Sequence, residues 1–303
     1  MINELKIESI SEYIQVVCSL QEEVGKYTPF ENAELLFRGQ SDVKYELIPA
    51  IGRNRDFDCE CTIFNEERNL IEMAKYKLPE LFRNDMFPVE ILALLQHHGI
   101  PTRLLDVTEN ALVALYFACC NDEGKDGEVI VFKNTDDNVT NYPIINAIAD
   151  SYRFTEGSTW TPLSSFYENV KSQPYFLEHK RIAEIRHKEG KDGGKWIEEC
   201  CKKIFYIYAP IRSLRQQVQQ GRYILFPNKI EHEIYDEGNF GWTIEAISKE
   251  HGDIVKRIII PKESKKKLLS DVSVLGIRED VLFCDSVDMV CKGILGSFAR
   301  KYR

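Results

Sequence analysis

Residues 91–120 read ILALLQHHGIPTRLLDVTENALVALYFACC, and the rest of the chain is organised around them. Ile91, Leu94 and Leu95 recur on one helical face. Gly99 stands where a helix C-cap belongs, and Pro101 cannot continue the helix. The pattern predicts a second helix starting between Asp106 and Thr108, with Asp106 and Glu109 as a capping box or Thr108 alone as N-cap. From Ala111 to Cys120 the residues are apolar on every side, so this helix is expected to be buried all round. The turn between the helices holds His97, His98, Thr102, Arg103 and Asp106. Such groups are costly to leave unpaired beside a dry core, so the cluster is either a structural network or a site.

Composition bounds the remaining possibilities. A chain of 303 residues with 44% hydrophobic, 29% charged and 11% aromatic residues has the make-up of a globular protein with a substantial core. The net charge of −9 argues against a simple electrostatic nucleic-acid binder but leaves room for a local basic cleft. The run Lys265–Lys267 reads as a solvated helix face. Nine cysteines with no Cys-x-x-Cys, two adjacent pairs (Cys119–Cys120 and Cys200–Cys201) and Cys59 close to Cys61 fit reduced thiols in a cytoplasm. The acidic start lacks the apolar core of a signal peptide, and no stretch reaches membrane-spanning length, so the expectation is a cytoplasmic protein without a membrane partner.

Along the chain, residues 7–25 form an amphipathic pattern with Ile10, Tyr13, Ile14, Val17 and Leu20 on one side. Glu34–Gln40 reads as a short strand, and Tyr45–Arg53 as a turn-rich connector. Phe64–Tyr76 is a helix; Leu78–Phe87 is looser; Glu128–Lys133 is a strand. Helices are expected at Pro143–Ser151, Leu163–Val170 and Leu177–Lys188, with Gly190–Gly194 as a loop. Strands follow at Phe205–Tyr208, Arg222–Phe226, Trp242–Ile247 and Ile254–Ile260, with a short Gln- and Arg-rich helix before Gly221. The C-terminus adds helices at Lys262–Ser270 and from Ser286 to Ala299. Short strands scattered among helices predict an α+β fold with a central mixed or antiparallel sheet. The expected organisation is an N-terminal helix in residues 1–30, a domain over 31–303, and a helical insertion at about 134–200 that carries target- or partner-specific parts.

No Gly-x-Gly-x-x-Gly, phosphate loop or Gly-x-Ser-x-Gly elbow is present, and His97–His98 has no partner at helical metal spacing, so no metal site is expected. Four pieces stand out: Phe37-Arg38-Gly39-Gln40, Gln96-His97-His98-Gly99, Pro101 to Asp106, and Gln219 to Tyr223. An arginine ending an apolar strand suits a grip on phosphate or carboxylate, or else a pairing with a local acid such as Asp42. Taken together the pieces resemble the FRG domain family, with further matches at Ala114–Ala118, Leu275–Ile277 and Leu282–Phe283; the resemblance runs from Leu35 to Ile294. Val107 and His98 depart from the residues usual in that family.

A second resemblance is to ADP-ribosyltransferases, whose first motif is an arginine ending an early strand that grips the NAD pyrophosphate. Gln220 to Pro227 is similar to their third motif, with a glutamine where a glutamate is usual. The implied reading is an ADP-ribosyltransferase-like toxin or phage-defence effector that uses NAD as substrate on a nucleic-acid or protein target. A toxin would also bring an antitoxin or chaperone partner. Nicotinamide cleavage builds positive charge on the ribose carbon, so the site needs a phosphate clamp, a ribose holder and a carboxylate. Arg38 and Arg103 would form the clamp, with Gly39, Gln40, Thr102 and Tyr116 completing NAD binding; His97 or Thr102 would hold ribose hydroxyls. Asp106, Glu231 or Glu233 would face the cation, and Gln220 would orient it. Bland alternatives stand beside each: Asp106 as N-cap, His97 as a core histidine, Gln220 as a helix-end residue. Two other functions stay open, a non-catalytic nucleotide- or partner-binding module and a metal-independent nuclease with His97 as acid or base.

Overall fold

The computed structural model describes residues 4–25, 33–53, 63–121, 124–135, 143–155, 160–177, 188–210, 213–232 and 237–284. The elements run β1 (Glu4–Lys6), α1 (Ile10–Gly25), β2 (Glu34–Gln40), α2 (Glu67–Lys77), α3 (Pro88–His97), β3 (Leu104–Thr108), α4 (Ala111–Cys119) and β4 (Gly127–Asn134). They continue with α5 (Pro143–Ala149), β5 (Thr161–Pro162), α6 (Leu163–Val170), α7 (Pro174–Leu177), α8 (Gly190–Cys201), β6 (Phe205–Ile207) and α9 (Leu214–Val218). The last are β7 (Gly221–Leu225), β8 (Ile230–Glu231), β9 (Asn239–Phe240), β10 (Ile254–Ile260), α10 (Lys265–Val274) and α11 (Glu279–Leu282).

Seven strands form one mixed sheet in the order β1-β10-β4-β2-β3-β7-β6, and β5-β9-β8 form a small antiparallel sheet, so the expected α+β architecture holds. Among the described residues β1 pairs with β10 in parallel, and the other pairs of the large sheet are antiparallel. β4 lies inside the sheet, flanked by β10 and β2, and is buried on both faces. One face of the sheet carries two cores side by side. The first packs Phe37, Val129, Val131 and Ile258 against α1, α4 and α10. The second packs Leu104, Tyr223 and Leu225 against α3, α5, α6 and α8. A third core, with Leu36, Leu105, Val107, Ile130, Ile224 and Ile244, covers the reverse face. β1 and α1 belong to the same sheet and first core as the rest.

Four expectations from the sequence need correction. Lys265 is not on a solvated face: it is buried, and its Nζ donates to the carbonyls of Ser41 at 2.7 Å and Asn121 at 3.0 Å. Asp106–Thr108 does not start a helix: Leu104–Thr108 is β3, registered against β7 from Leu104↔Leu225 to Thr108↔Gly221. A five-residue stretch with one exposed acid, Leu-Leu-Asp-Val-Thr, is too short for periodicity to tell strand from helix, and the pairing with β7 decides. The N-cap of α4 is Asn110, whose side chain accepts from the amides of Leu112 and Val113. Gly190–Gly194 is not a loop but the first turn and more of α8. A Cβ at Gly193 would sit 2.1 Å from the Tyr167 ring, and one at Gly194 would sit 2.8 Å from the Ser164 amide, so these glycines let α8 press onto α6. Trp242–Ile247 forms no strand; Ile247 makes only an isolated bridge to Leu47. The expected helices at Leu177–Lys188 and Ser286–Ala299 fall largely or wholly outside the described residues, as do Glu233, Cys59 and Cys61. Among the described residues no helix is long and apolar enough to cross a membrane.

Candidate functional site

β2 and β3 are neighbours in the sheet but share a single paired position, Phe37↔Thr108. Away from that point the strands separate, and the seam between the first two cores opens between them. A cavity of about 470 Å³ occupies this seam. Its apolar wall includes Phe37, Ile100, Val113, Phe117 and Tyr223; its polar groups include Arg38, Gln96, His97, Asp106, Arg215, Gln216 and Gln219. A mostly apolar hollow of this size with a few convergent polar groups is the form of a small-molecule site.

Arg38 is the side chain that crosses the split. Its Nη1 donates to the main-chain oxygen of Asp106 at 2.5 Å, while its Nε is buried without a hydrogen-bond partner among the described residues. Burial pushes the guanidinium down to about 10; the nearby Asp106 opposes that shift and Arg53 reinforces it. An anion placed against this group would satisfy Nε and relieve the desolvation. Arg38 does not pair with Asp42, which is held by Lys125 at 3.2 Å. The neighbouring Gly39 is dictated by packing, because a Cβ there would lie 1.9 Å from the carbonyl oxygen of Ala114 in α4. The backbone of β2 therefore runs directly under the helix that roofs the cavity.

Asp106 is on β3 and exposed, so its carboxylate is available to the cavity. A short relay orients it. The Thr102 hydroxyl donates to Gln96 Oε1 at 2.6 Å, and Gln96 Nε2 donates to Asp106 Oδ1 at 3.1 Å and to the carbonyl of Leu104 at 3.2 Å. Thr102 is thus buried and acts through Gln96 rather than from the cavity wall. His97 ends α3, half-buried on the cavity wall, with its ring edge-to-face on His98 at 4.9 Å.

Several expected site residues lie elsewhere. Arg103 is fully buried in an ion pair with Glu67 of α2 (Nε to Oε1 2.8 Å, with a second bond from Nη2). It also donates to Asn228 at 3.1 Å and to the carbonyl of Phe226 at 3.3 Å, and stacks over Phe64 at 5.0 Å. It is therefore a core fastener and not half of a clamp with Arg38. Gln220 is exposed, with φ +46°, and turns the chain from α9 into β7; its main-chain oxygen accepts from Glu109. Gln216, one turn earlier, and the adjacent Gln219 are the glutamines on the cavity wall. Tyr116 is buried on α4 beside Phe117 and does not line the cavity. Gln40 is buried opposite Glu128, on the wall of a second cavity. Glu231 also lines that second cavity, bonded to Trp160 Nε1 at 2.6 Å and 3.5 Å from Lys229.

Sequence reasoning missed Gln96, Arg215, Gln216, Gln219 and Tyr223 as wall residues, although all but Arg215 and Gln216 lay within motifs already singled out. The signal was the Gln-His-His-Gly and Gln-Gln-Gly pieces themselves; which of their side chains turn inward is set by α3, α9 and β7.

The family model of the FRG domain matches residues 33–127, which supply Arg38, Gln96, His97, Asp106 and the roof of the cavity. The opposite wall, from α9 and β7, lies beyond that match. No curated protein and no solved structure matches the chain.

Proposed function

We propose that the FRG domain of this chain binds a dinucleotide of the NAD class in the cavity at the β2–β3 split and uses it as substrate for ADP-ribosyl transfer or hydrolysis. One observation carries the reading: a half-buried arginine, whose buried Nε has no hydrogen-bond partner among the described residues, stands at the split, in the same cavity as a carboxylate held by Gln96. Arg38 meets the pyrophosphate, supplying the anion contact its Nε lacks. The wall of Phe37, Val113, Phe117 and Tyr223 excludes water from the reacting end. In the reaction the bond from ribose C1′ to the nicotinamide nitrogen breaks, and its electron pair leaves with nicotinamide. Positive charge then grows on the ribose, and Asp106 stabilises it. A water or target nucleophile attacks C1′ and gives up its proton, for which Asp106 and His97 are the candidate acceptors. With the third-motif position occupied by an outward-facing glutamine, Asp106 takes the role a glutamate plays in the enzymes this reading resembles.

Purified protein incubated with NAD is expected to release nicotinamide, and NAD is expected to raise the melting temperature. Arg38→Met abolishes the thermal shift, and Asp106→Asn keeps the shift while stopping release. A shift without release from the wild-type chain, with water, nucleic acid or protein as acceptor, reduces the reading to a binding module. Absence of both the shift and the release overturns it.

A further inference from the structure

Arg38 lines a second cavity as well, of about 970 Å³, on the reverse side of the sheet. Its floor comes from the third core, through Ile48, Ile244 and Ala246. Its charged rim carries Arg38, Lys44, Arg53 and Lys229 against Glu46 and Glu231, a positive balance on a chain of net charge −9. Lys44, Arg53 and Lys229 are exposed; Glu231 accepts from Trp160 through one oxygen and lies 3.5 Å from Lys229 through the other, which leaves Lys44, Arg53 and Arg38 against Glu46. Two aromatic faces accompany these cations. Trp242 lines the cavity and packs against Trp160 with ring centroids 4.7 Å apart; Tyr45 lines it too, 46% exposed.

We infer that this second cavity is the entry groove for a single-stranded nucleic acid, the acceptor of the proposed transfer. The word acceptor rests on the function proposed above; the binding does not. Cations that follow a backbone, with aromatic rings on which bases stack, are the composition of a single-strand groove. An acidic peptide would use the cations but has no need of the paired tryptophans. Duplex nucleic acid would need a broad convex or helical contact, whereas the rings here sit inside a concavity. Arg38 belongs to both hollows, so a strand seated in the second brings its nucleophiles to the wall behind which the dinucleotide lies.

The test is fluorescence anisotropy of the full chain with a labelled twelve-residue single-stranded RNA or DNA, without NAD. Binding is expected at low salt. Three exposed cations each meeting one phosphate give a logarithmic salt slope of about −2, hence roughly fifteenfold weaker binding from 50 to 200 mM salt. Lys44→Glu combined with Lys229→Glu is expected to weaken binding at least about tenfold while nicotinamide release with water as acceptor is unchanged. Trp242→Ala is a second probe, expected to weaken binding by about tenfold with little change in salt slope. No binding at low salt, binding indifferent to the lysine reversals, or equal displacement by duplex DNA or polyglutamate overturns the inference. Oligonucleotide binding without any NAD turnover leaves it standing and removes the proposed function instead.

Discussion

Replacing Arg103 with Met separates a structural arginine from a functional one. Arg103 has no exposed surface, and Glu67 is also buried. The substitution removes two bonds to Glu67, one to Asn228 and one to the Phe226 carbonyl, together with the stack on Phe64. Truncating one partner of a buried ion pair leaves the other charge uncompensated, at a cost of about 3–5 kcal/mol. At roughly 2 °C per kcal/mol for a chain of this size, the melting temperature should fall by about 6–10 °C. The double variant Arg103→Met with Glu67→Leu should lose less than the sum of the single losses, because no lone charge is left in the core. Thermal melts with and without NAD read both quantities. At temperatures where Arg103→Met stays folded, its ligand-induced shift should match wild type. If it melts within about 2 °C of wild type and loses the shift, Arg103 belongs to the site and the assignment made from its buried contacts is wrong.

Gly39→Ala should be far more damaging than a usual overpacking change of about 1–3 kcal/mol, since the new Cβ meets the Ala114 carbonyl at 1.9 Å; soluble yield and a thermal melt check it. Gln96→Ala should lower kcat for nicotinamide release by about ten- to a hundredfold with KM little changed, because it frees Asp106 from its orienting bond; an altered KM with intact kcat would contradict that role. Gln220→Gly should stabilise the fold by about 1 kcal/mol at no cost to turnover, since φ +46° disfavours a side chain; denaturant unfolding and the NAD assay decide. Asp150 bonds Tyr175 Oη at 3.1 Å and Arg153 at 2.9 Å, yet burial raises its pKa to about 6. The folded state therefore holds this proton more tightly than the unfolded chain, so stability falls as pH rises from about 4 through 6. Asp150→Asn should raise the melting temperature at pH 7.5 and not at pH 4, and equal effects at both values would contradict the assignment.

The elements that were readable in the residues are those whose periodicity is long and local. β10 at Ile254–Ile260 and α6 at Leu163–Val170 lie where their patterns place them, and β4 differs from its expected span by one residue at each end. The errors share a cause, which is dependence on a partner distant in the chain. Leu104–Thr108 has no five-residue preference strong enough to choose strand over helix, and its pairing with β7 makes the choice. Gly193 and Gly194 look like a loop until Tyr167 and Ser164 are seen pressing against them.

The same division runs through the site. Residue type and spacing already established an α+β chain, an arginine at the end of β2, a polar turn after α3 and a glutamine-rich approach to β7. Those features are local, being set by side-chain chemistry and by where apolar runs stop. Which arginine is buried for stability and which faces a cavity could not be read there, because Arg38 and Arg103 carry the same guanidinium. The fold decides by placing Glu67 within 2.8 Å of Arg103 and by leaving β2 and β3 joined at one position, so that Arg38 stands in the gap with an Nε unsatisfied. A buried charge takes its role from its partners, and those partners are brought together only when distant strands and helices pack.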